Sequence, residues 1–330
     1  MKKFANYLMI ILIVPALVLS SCKKTEDTDE PEVKKGNYAD LKTYMVANGF
    51  DLTDVLVDGW VKPASAVVDT NTYTIPDWYV MDIRPAGDFA DGHIDGAVNV
   101  ELKNVVTQAA NADGKPILVV CMTGQTAGHA VMALRLSGYT NAAVLKFGMA
   151  GWNPQFEGAW QNSIGNTAED HASEWDTDAP PAHETFATPS WETTATEGAA
   201  ILAERVNLML NNGFMKIASD DIWGNQGSYQ IHNFWTEADF TTFGHFSTAY
   251  QLKPISLQGD EVSAIDSEGT TLVYCFTGQT SSMVTAWLNV LGYDAKSILF
   301  GVNRLNYDDL EDAGKPHWHG PENYDFVTGK

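Results

Sequence analysis

The sequence predicts an α/β protein of two tandem units, each a central parallel sheet flanked by helices. Three observations predict it. The loop Cys-Met-Thr-Gly-Gln-Thr at 121–126 returns as Cys-Phe-Thr-Gly-Gln-Thr at 275–280. Each loop follows a continuous apolar run, PILVVC at 116–121 and TLVYC at 271–275, the pattern of a strand buried on both faces of a parallel sheet. The segment after the first loop, 127–139, carries apolar residues at helical spacing and a glycine near its end, a common helix stop. Strand, loop and helix in alternation give an α/β layer, and 330 residues are enough for two such layers.

Residues 1–21 read as a lipoprotein signal peptide. Lys2 and Lys3 supply positive charge, Leu8 to Leu19 is apolar apart from Pro15, and the run ends in Leu19-Ser20-Ser21-Cys22. The run is short of the roughly 20 residues of a spanning helix. Its ending resembles a bacterial lipobox, which implies cleavage before Cys22 and lipid on its sulfur. Residues 22–37 then form a charged, lipidated tether. The chain is thereby expected in the bacterial cell envelope, on the periplasmic side or at the cell surface.

The first unit spans 38–152. Leu41 to Ala47 reads as a short helix, 78–83 as a strand, 117–121 as the buried strand and 142–147 as another strand. An acidic linker, 153–198, follows. No Lys or Arg occurs from 147 to 204, and Trp160, Trp175 and Trp191 suggest that the linker packs along the units. The second unit spans 199–330. Its correspondences run beyond the loop: NGF at 48–50 and 212–214, GDFADGHIDGA at 87–97 and ADFTTFGHFSTA at 238–249, LKFG at 145–148 and ILFG at 298–301. Duplication of one unit explains them all.

Net charge is −22, with 42 acidic against 20 basic residues. Nucleic acid is excluded as a partner, since a phosphate backbone needs a basic stripe. Docking of the folded part on anionic lipid is excluded too, so the membrane enters only through the N-terminal lipid. The chain has 3 cysteines. With Cys22 assigned to lipid, Cys121 and Cys275 remain. They begin equivalent loops in equivalent units, which gives no geometric reason for them to meet in a disulfide.

Open α/β sheets bind ligands at the carboxyl ends of their strands, and both cysteines sit at such ends. Loop amides and the N-terminus of the next helix are expected to face the sulfur and lower its pKa. Gly124 allows the tight turn, and Thr123 and Thr126 offer hydroxyl donors. The same holds for Thr277, Gly278 and Thr280. Each loop, Met122 to Thr126 with Gln125 and Phe276 to Thr280 with Gln279, is a cradle for an anionic sulfur.

At these residues the chain resembles the rhodanese-type sulfurtransferases, in two tandem copies. The resemblance rests on DIRPAGDFADGHIDGAVNV at 82–100, the two loops, and KFGMAGW at 146–152, and covers 38–152 and 199–310. It implies thiosulfate sulfurtransferase chemistry with Cys121 and Cys275 as nucleophiles. Each would take sulfane sulfur from a small donor (thiosulfate, 3-mercaptopyruvate or polysulfide) as a persulfide and pass it to a thiol or cyanide. It implies no cofactor and no metal. Asp82 and Arg84 would support the loop. Three departures stand out. Both units keep a cysteine where familiar two-domain members usually have one. Both loops lack the basic residues of thiosulfate-specific members. Asn233 and Trp235 replace the Asp-x-Arg pair in the second unit.

His93 and His245 are read as structural, because a thiolate needs no histidine base. His129 is read as a surface or packing residue. His-Trp-His at 317–319 is read as a solvated tail, since no cysteine or carboxylate completes a ligand set. A Cys-dependent phosphatase or arsenate reductase would need a longer loop ending in arginine, and positions 127 and 281 hold Ala and Ser. The other alternative is a non-enzymatic sulfane-sulfur carrier or binding module serving a periplasmic or surface protein partner.

Overall fold

Short strands, most apolar at the centre of each layer, assemble into two five-stranded parallel sheets of identical order. The computed structural model describes residues 34–35, 38–57 and 59–329; Cys22 and the signal segment lie outside them. The first sheet contains β1 (Val61–Lys62), β2 (Tyr79–Asp82), β3 (Val98–Asn99), β4 (Ile117–Val120) and β5 (Ala143–Leu145), in the order β1-β5-β4-β2-β3. The second contains β6 (Lys216–Ile217), β7 (Gln230–Asn233), β8 (Tyr250–Gln251), β9 (Thr270–Tyr274) and β10 (Asp294–Ile298), in the order β6-β10-β9-β7-β8. The central strand of each sheet carries the cysteine at its carboxyl end. Its side chains alternate between two apolar layers. In β4, Ile117 and Val119 face one cluster while Leu118 and Val120 face the other, which is why the run is apolar without interruption.

Four helices lie between the sheets: α1 (Tyr38–Ala47), α2 (Gln125–Leu136), α3 (Gly198–Asn212) and α4 (Gln279–Leu291). Their apolar faces join the inner faces of both sheets in a single core that includes Leu41, Val131 and Ile201 with Val119, Val273 and Trp287. The two halves therefore share one interior, and all described residues fall in one compact unit. Helices α2 and α4 touch closely: a Cβ on Gly128 would lie 2.1 Å from Ser282 Oγ, so only glycine fits there. Polar ties reinforce the join. Buried Asp51 accepts from Leu52 N at 2.7 Å in its own half and from Leu257 N at 2.9 Å in the other. Trp287 Nε1 donates to Phe50 O at 3.1 Å.

The linker packs as its tryptophans suggest. Trp160 is fully buried, Trp175 pairs within a short antiparallel ladder to His245–Phe246, and Trp191 lies against the Arg205 guanidinium. Two expectations change. Trp318 is no part of a solvated tail. It is 1% exposed, stacks near Trp160, and takes hydrogen bonds through Asn303, Gln161 and Tyr307; an indole can find a tertiary pocket without any local periodicity to announce it. The last residues of the 199–330 range lie on the first half, where Trp152 Nε1 donates to Asp325 O and Val327 N to His93 O.

His129 packs inside, on α2 beside Phe214, and His232 is equally buried on β7. Neither ring nitrogen of either residue meets a partner at hydrogen-bond distance. Burial lowers the pKa of His129 from 6.5 to about 4, against a smaller opposing pull from the Met209 backbone, and that of His232 to about 3. Both rings are neutral in the fold, whereas an unfolded histidine gains a proton near pH 6.5. Stability is therefore full above that pH and falls as pH drops through the window toward 4, at up to about 1.4 kcal/mol per pH unit for each histidine. Urea unfolding at pH 7.5 and pH 5 is expected to show this loss, and His129→Leu to lose less between the two. An equal loss in the variant would remove His129 from the account.

Candidate active site

Each cysteine ends its central strand, and the chain turns back at once into a helix. Parallel neighbours fix the position: Ile83 N donates to Val120 O at 2.8 Å and Phe234 N to Tyr274 O at 2.8 Å, so residues 82–84 and 233–235 flank the two loops. Met149 N donates to Cys121 O at 2.9 Å and Val302 N to Cys275 O at 3.0 Å. The FG repeat of the sequence thus forms the floor of each loop. Phe147 and Phe300 both sit in the left-handed region, with φ of 62° and 61°.

Both sulfurs face backbone donors. Gly124 N is 3.1 Å and Ala127 N 3.3 Å from Cys121 Sγ. Ser281 N is 3.3 Å from Cys275 Sγ. Helices α2 and α4 point their N-termini at the same atoms, adding the positive end of the dipole. Cys121 is 5% and Cys275 3% exposed, and both are free thiols.

The expectation of a lowered thiol pKa fails for Cys121. Burial pushes that thiol up. The amides of Ala127, Thr123 and Gly124 pull it down by less, and the Asp82 carboxylate adds to the rise. Loss of water outweighs the amides because a thiolate inside a core must replace a whole hydration shell. Thr123 Oγ1 accepts from Gln125 Nε2 and Thr277 Oγ1 from Gln279 N, which leaves each hydroxyl its own hydrogen to donate.

Asp82 and Arg84 form the buried pair expected of them. Arg84 Nη2 reaches Asp82 Oδ2 at 2.6 Å and Gly92 O at 2.7 Å. In the second half Trp235 stacks on Phe276 at 4.5 Å, so an aromatic contact replaces an ion pair. His93 and His245 are structural and equivalent. Their rings stack on Phe89 at 3.6 Å and on Phe240 at 3.7 Å, and their Nδ1 atoms meet backbone carbonyls.

Sequence reasoning missed three contributors. Ser281, where the first unit has Ala127, places its hydroxyl 3.6 Å from Cys275 Sγ and 2.8 Å from Ser297 Oγ. Trp160 of the linker donates to Thr123 O at 3.1 Å. A cavity of about 400 Å³ opens beside the second loop, with Trp60 from the first half and Phe234, Lys253 and Thr280 from the second. The Ala-to-Ser difference was visible in the repeat; the other two depend on tertiary packing. No cluster of residues able to hold a metal occurs among the described residues.

Fold and site define an α/β protein built around two buried cysteines in amide-lined loops. The model of the Rhodanese-like domain matches residues 67–155. The thiosulfate sulfurtransferase GlpE of Shewanella oneidensis is 33% identical over 75 residues, which cover 22% of this chain and 74% of that protein. The uncharacterized protein YibN of Escherichia coli is 38% identical over 80 residues, 23% of this chain and 56% of that protein. The chain belongs to the rhodanese family. It spans just over half the length of YibN. Among solved structures, a thiosulfate sulfurtransferase from Pseudomonas aeruginosa is 14% identical, with 87% of this chain and 49% of that chain covered and a TM-score of 0.29. SseA from Escherichia coli is 16% identical, with 72% and 97% covered and a TM-score of 0.27. The doubled architecture rests on the sheet orders themselves.

A raised thiol pKa leaves less thiolate at neutral pH. In a Cys275→Ser chain, the alkylation rate of Cys121 by iodoacetamide is expected to keep rising with pH beyond the value of about 8.5 at which a free cysteine is half ionised. A plateau reached below pH 8 would contradict the burial argument.

Proposed function

We propose that the chain is a sulfurtransferase that moves sulfane sulfur through persulfides on Cys121 and Cys275. The observation that carries this reading is the backbone donation to both sulfurs, from the Gly124 and Ala127 amides within 3.3 Å of Cys121 Sγ and from the Ser281 amide 3.3 Å from Cys275 Sγ. Such donors hold an anionic sulfur, and a persulfide is anionic at neutral pH. With thiosulfate as donor, the cysteine thiolate attacks the outer sulfur. An S–S bond forms to the cysteine, the S–S bond of thiosulfate breaks, and sulfite leaves with the electron pair. Cyanide or a thiolate then attacks the outer sulfur of the persulfide and regenerates the cysteine thiolate. The Lys253 ammonium at the cavity beside the second loop supports an anionic donor there.

One observation favours a second reading. Both thiols are almost closed to solvent, which suits a carrier that shields its sulfur until a partner protein opens the site. Thiocyanate formation separates the two readings. With thiosulfate or 3-mercaptopyruvate and cyanide, Cys121→Ser and Cys275→Ser are each expected to keep part of the rate and the double variant none. Absence of turnover in the unaltered chain with both donors would leave the carrier.

We further propose that Cys22 carries lipid and tethers the chain in the bacterial cell envelope. The support is Lys2 and Lys3, the apolar run to Leu19 and the small-residue ending before the cysteine. Among the described residues no helix is long and apolar enough to cross a membrane. In cells fed labelled palmitate, the chain is expected to take up label and Cys22→Ser to take up none; label in the variant would overturn the assignment.

A further inference from the structure

Gln125 and Gln279 hold the same position in the two loops, and the sequence suggests that each belongs to its own cradle. The structure crosses them, while Gln125 Nε2 also reaches Thr123 Oγ1 of its own loop. Gln279 Nε2 donates to Thr123 O at 3.0 Å, and Gln125 Oε1 accepts from Phe300 N at 2.8 Å. Each side chain also fills the space in front of the opposite glycine. A Cβ on Gly124 would lie 2.3 Å from Gln279 Nε2, and one on Gly278 would lie 2.3 Å from Gln125 Oε1. The glutamines are 1% and 2% exposed. An amide this deeply buried is retained only where its hydrogen bonds are met.

The partner of Gln279 matters most. Thr123 C=O and Gly124 N–H are the two ends of one peptide unit. That unit is planar and trans, so a donor that fixes the carbonyl also fixes where the N–H points. The N–H points at Cys121 Sγ, 3.1 Å away. Trp160 Nε1 is a second donor on the same carbonyl. Two donors on the oxygen polarise the peptide and strengthen its N–H as a donor to sulfur. On the other side, Gln125 holds the N–H of Phe300, whose φ of 61° opens the turn under the second loop. Two residues on, Val302 N donates to the carbonyl of Cys275.

We propose that Gln279 and Gln125 are positioning residues that act across the two halves: Gln279 aims the amide that holds the Cys121 sulfur, and Gln125 fixes the turn beneath Cys275. The two cradles are then one coupled unit, and substitution in either loop reaches the other cysteine. The consequence for turnover rests on the persulfide reading; the geometry of the thiols does not.

The test reads thiol reactivity alone, so that its failure is distinct from failure of sulfur transfer. In the full-length chain with Cys275→Ser, the alkylation of Cys121 by iodoacetamide is followed against pH, with peptide mass spectrometry assigning the site. Adding Gln279→Met keeps the volume and removes the N–H. The expected result is a profile moved up by about one pH unit and a rate at pH 8 lower by about tenfold, the size of one charge-assisted hydrogen bond. A side chain that only fills space would leave the profile in place. Superposition of the two profiles, with the melting temperature retained, overturns the proposal. If Gln279→Met does not fold, Gln279→Asn poses the same question with a polar side chain one methylene shorter. The reciprocal pair, Gln125→Met in a Cys121→Ser chain, is expected to slow alkylation of Cys275, and an unchanged rate there removes the Gln125 half of the proposal.

Discussion

Cys121 Sγ has the Gly124 and Ala127 amides within 3.3 Å and almost no water. A sulfur placed this way can carry charge only if the backbone supplies the donors, and the backbone can supply several at one point only where a loop turns into a helix. Much of each half follows from that need. The central strand must be buried so that its end opens under the helix. The loop must be short, so it needs residues that turn tightly. The floor must hold the cysteine carbonyl, which the segments after Phe147 and Phe300 do. The amides do not win outright at Cys121, where burial still pushes the thiol up. The loop lessens the cost of burying charge on the sulfur.

The second constraint is the shared interior. Most two-domain chains bury their cores separately and meet across a more polar interface. Here α2 and α4 are buried nearly all round, each against its own sheet and against the other. Gly128 and Ser282 set their approach. Because both helices begin at the cysteine loops, packing them together brings the loops together as well. The linker closes the junction: Trp160 lies between Phe147 and Phe300, with ring centroids 5.0 Å from each. An acidic connection that looks like a spacer in the sequence is a structural wedge at the site.

The fold class was legible because its signals are local. An uninterrupted apolar run such as 117–120 marks a doubly covered strand, and a repeat marks a duplication, whatever the rest of the chain does. The cysteine loops, the Asp82–Arg84 pair and the structural histidines were legible for the same reason. What the sequence hid is what one element does to a distant one. Nothing in GQT tells that Gln279 crosses to Thr123, since a long, flexible side chain looks the same whether it faces its own loop or another. Trp318 was misread because a single indole among polar residues has no period. The sign at Cys121 was misread because amide count can be inferred from a motif, whereas depth of burial belongs to the assembled core.

The two halves have also diverged at the sulfur itself. Position 127 is alanine and its counterpart is Ser281, whose hydroxyl lies between Cys275 Sγ and Ser297 Oγ. Both hydroxyls are fully buried, and buried hydroxyls persist where they have partners. Ser281 can accept from the thiol and, once the sulfur is charged, turn to donate to it, with Ser297 behind it to accept or release the displaced hydrogen bond. The first site has no hydroxyl there and has the Asp82 carboxylate nearby, which opposes charge on the sulfur. The second site has Asn233 and Trp235 in place of the Asp82–Arg84 ion pair. Duplication kept the loop, and the flanking positions then gave the two sulfurs different neighbours: an ion pair beside the first loop, and at the second a hydroxyl backed by another.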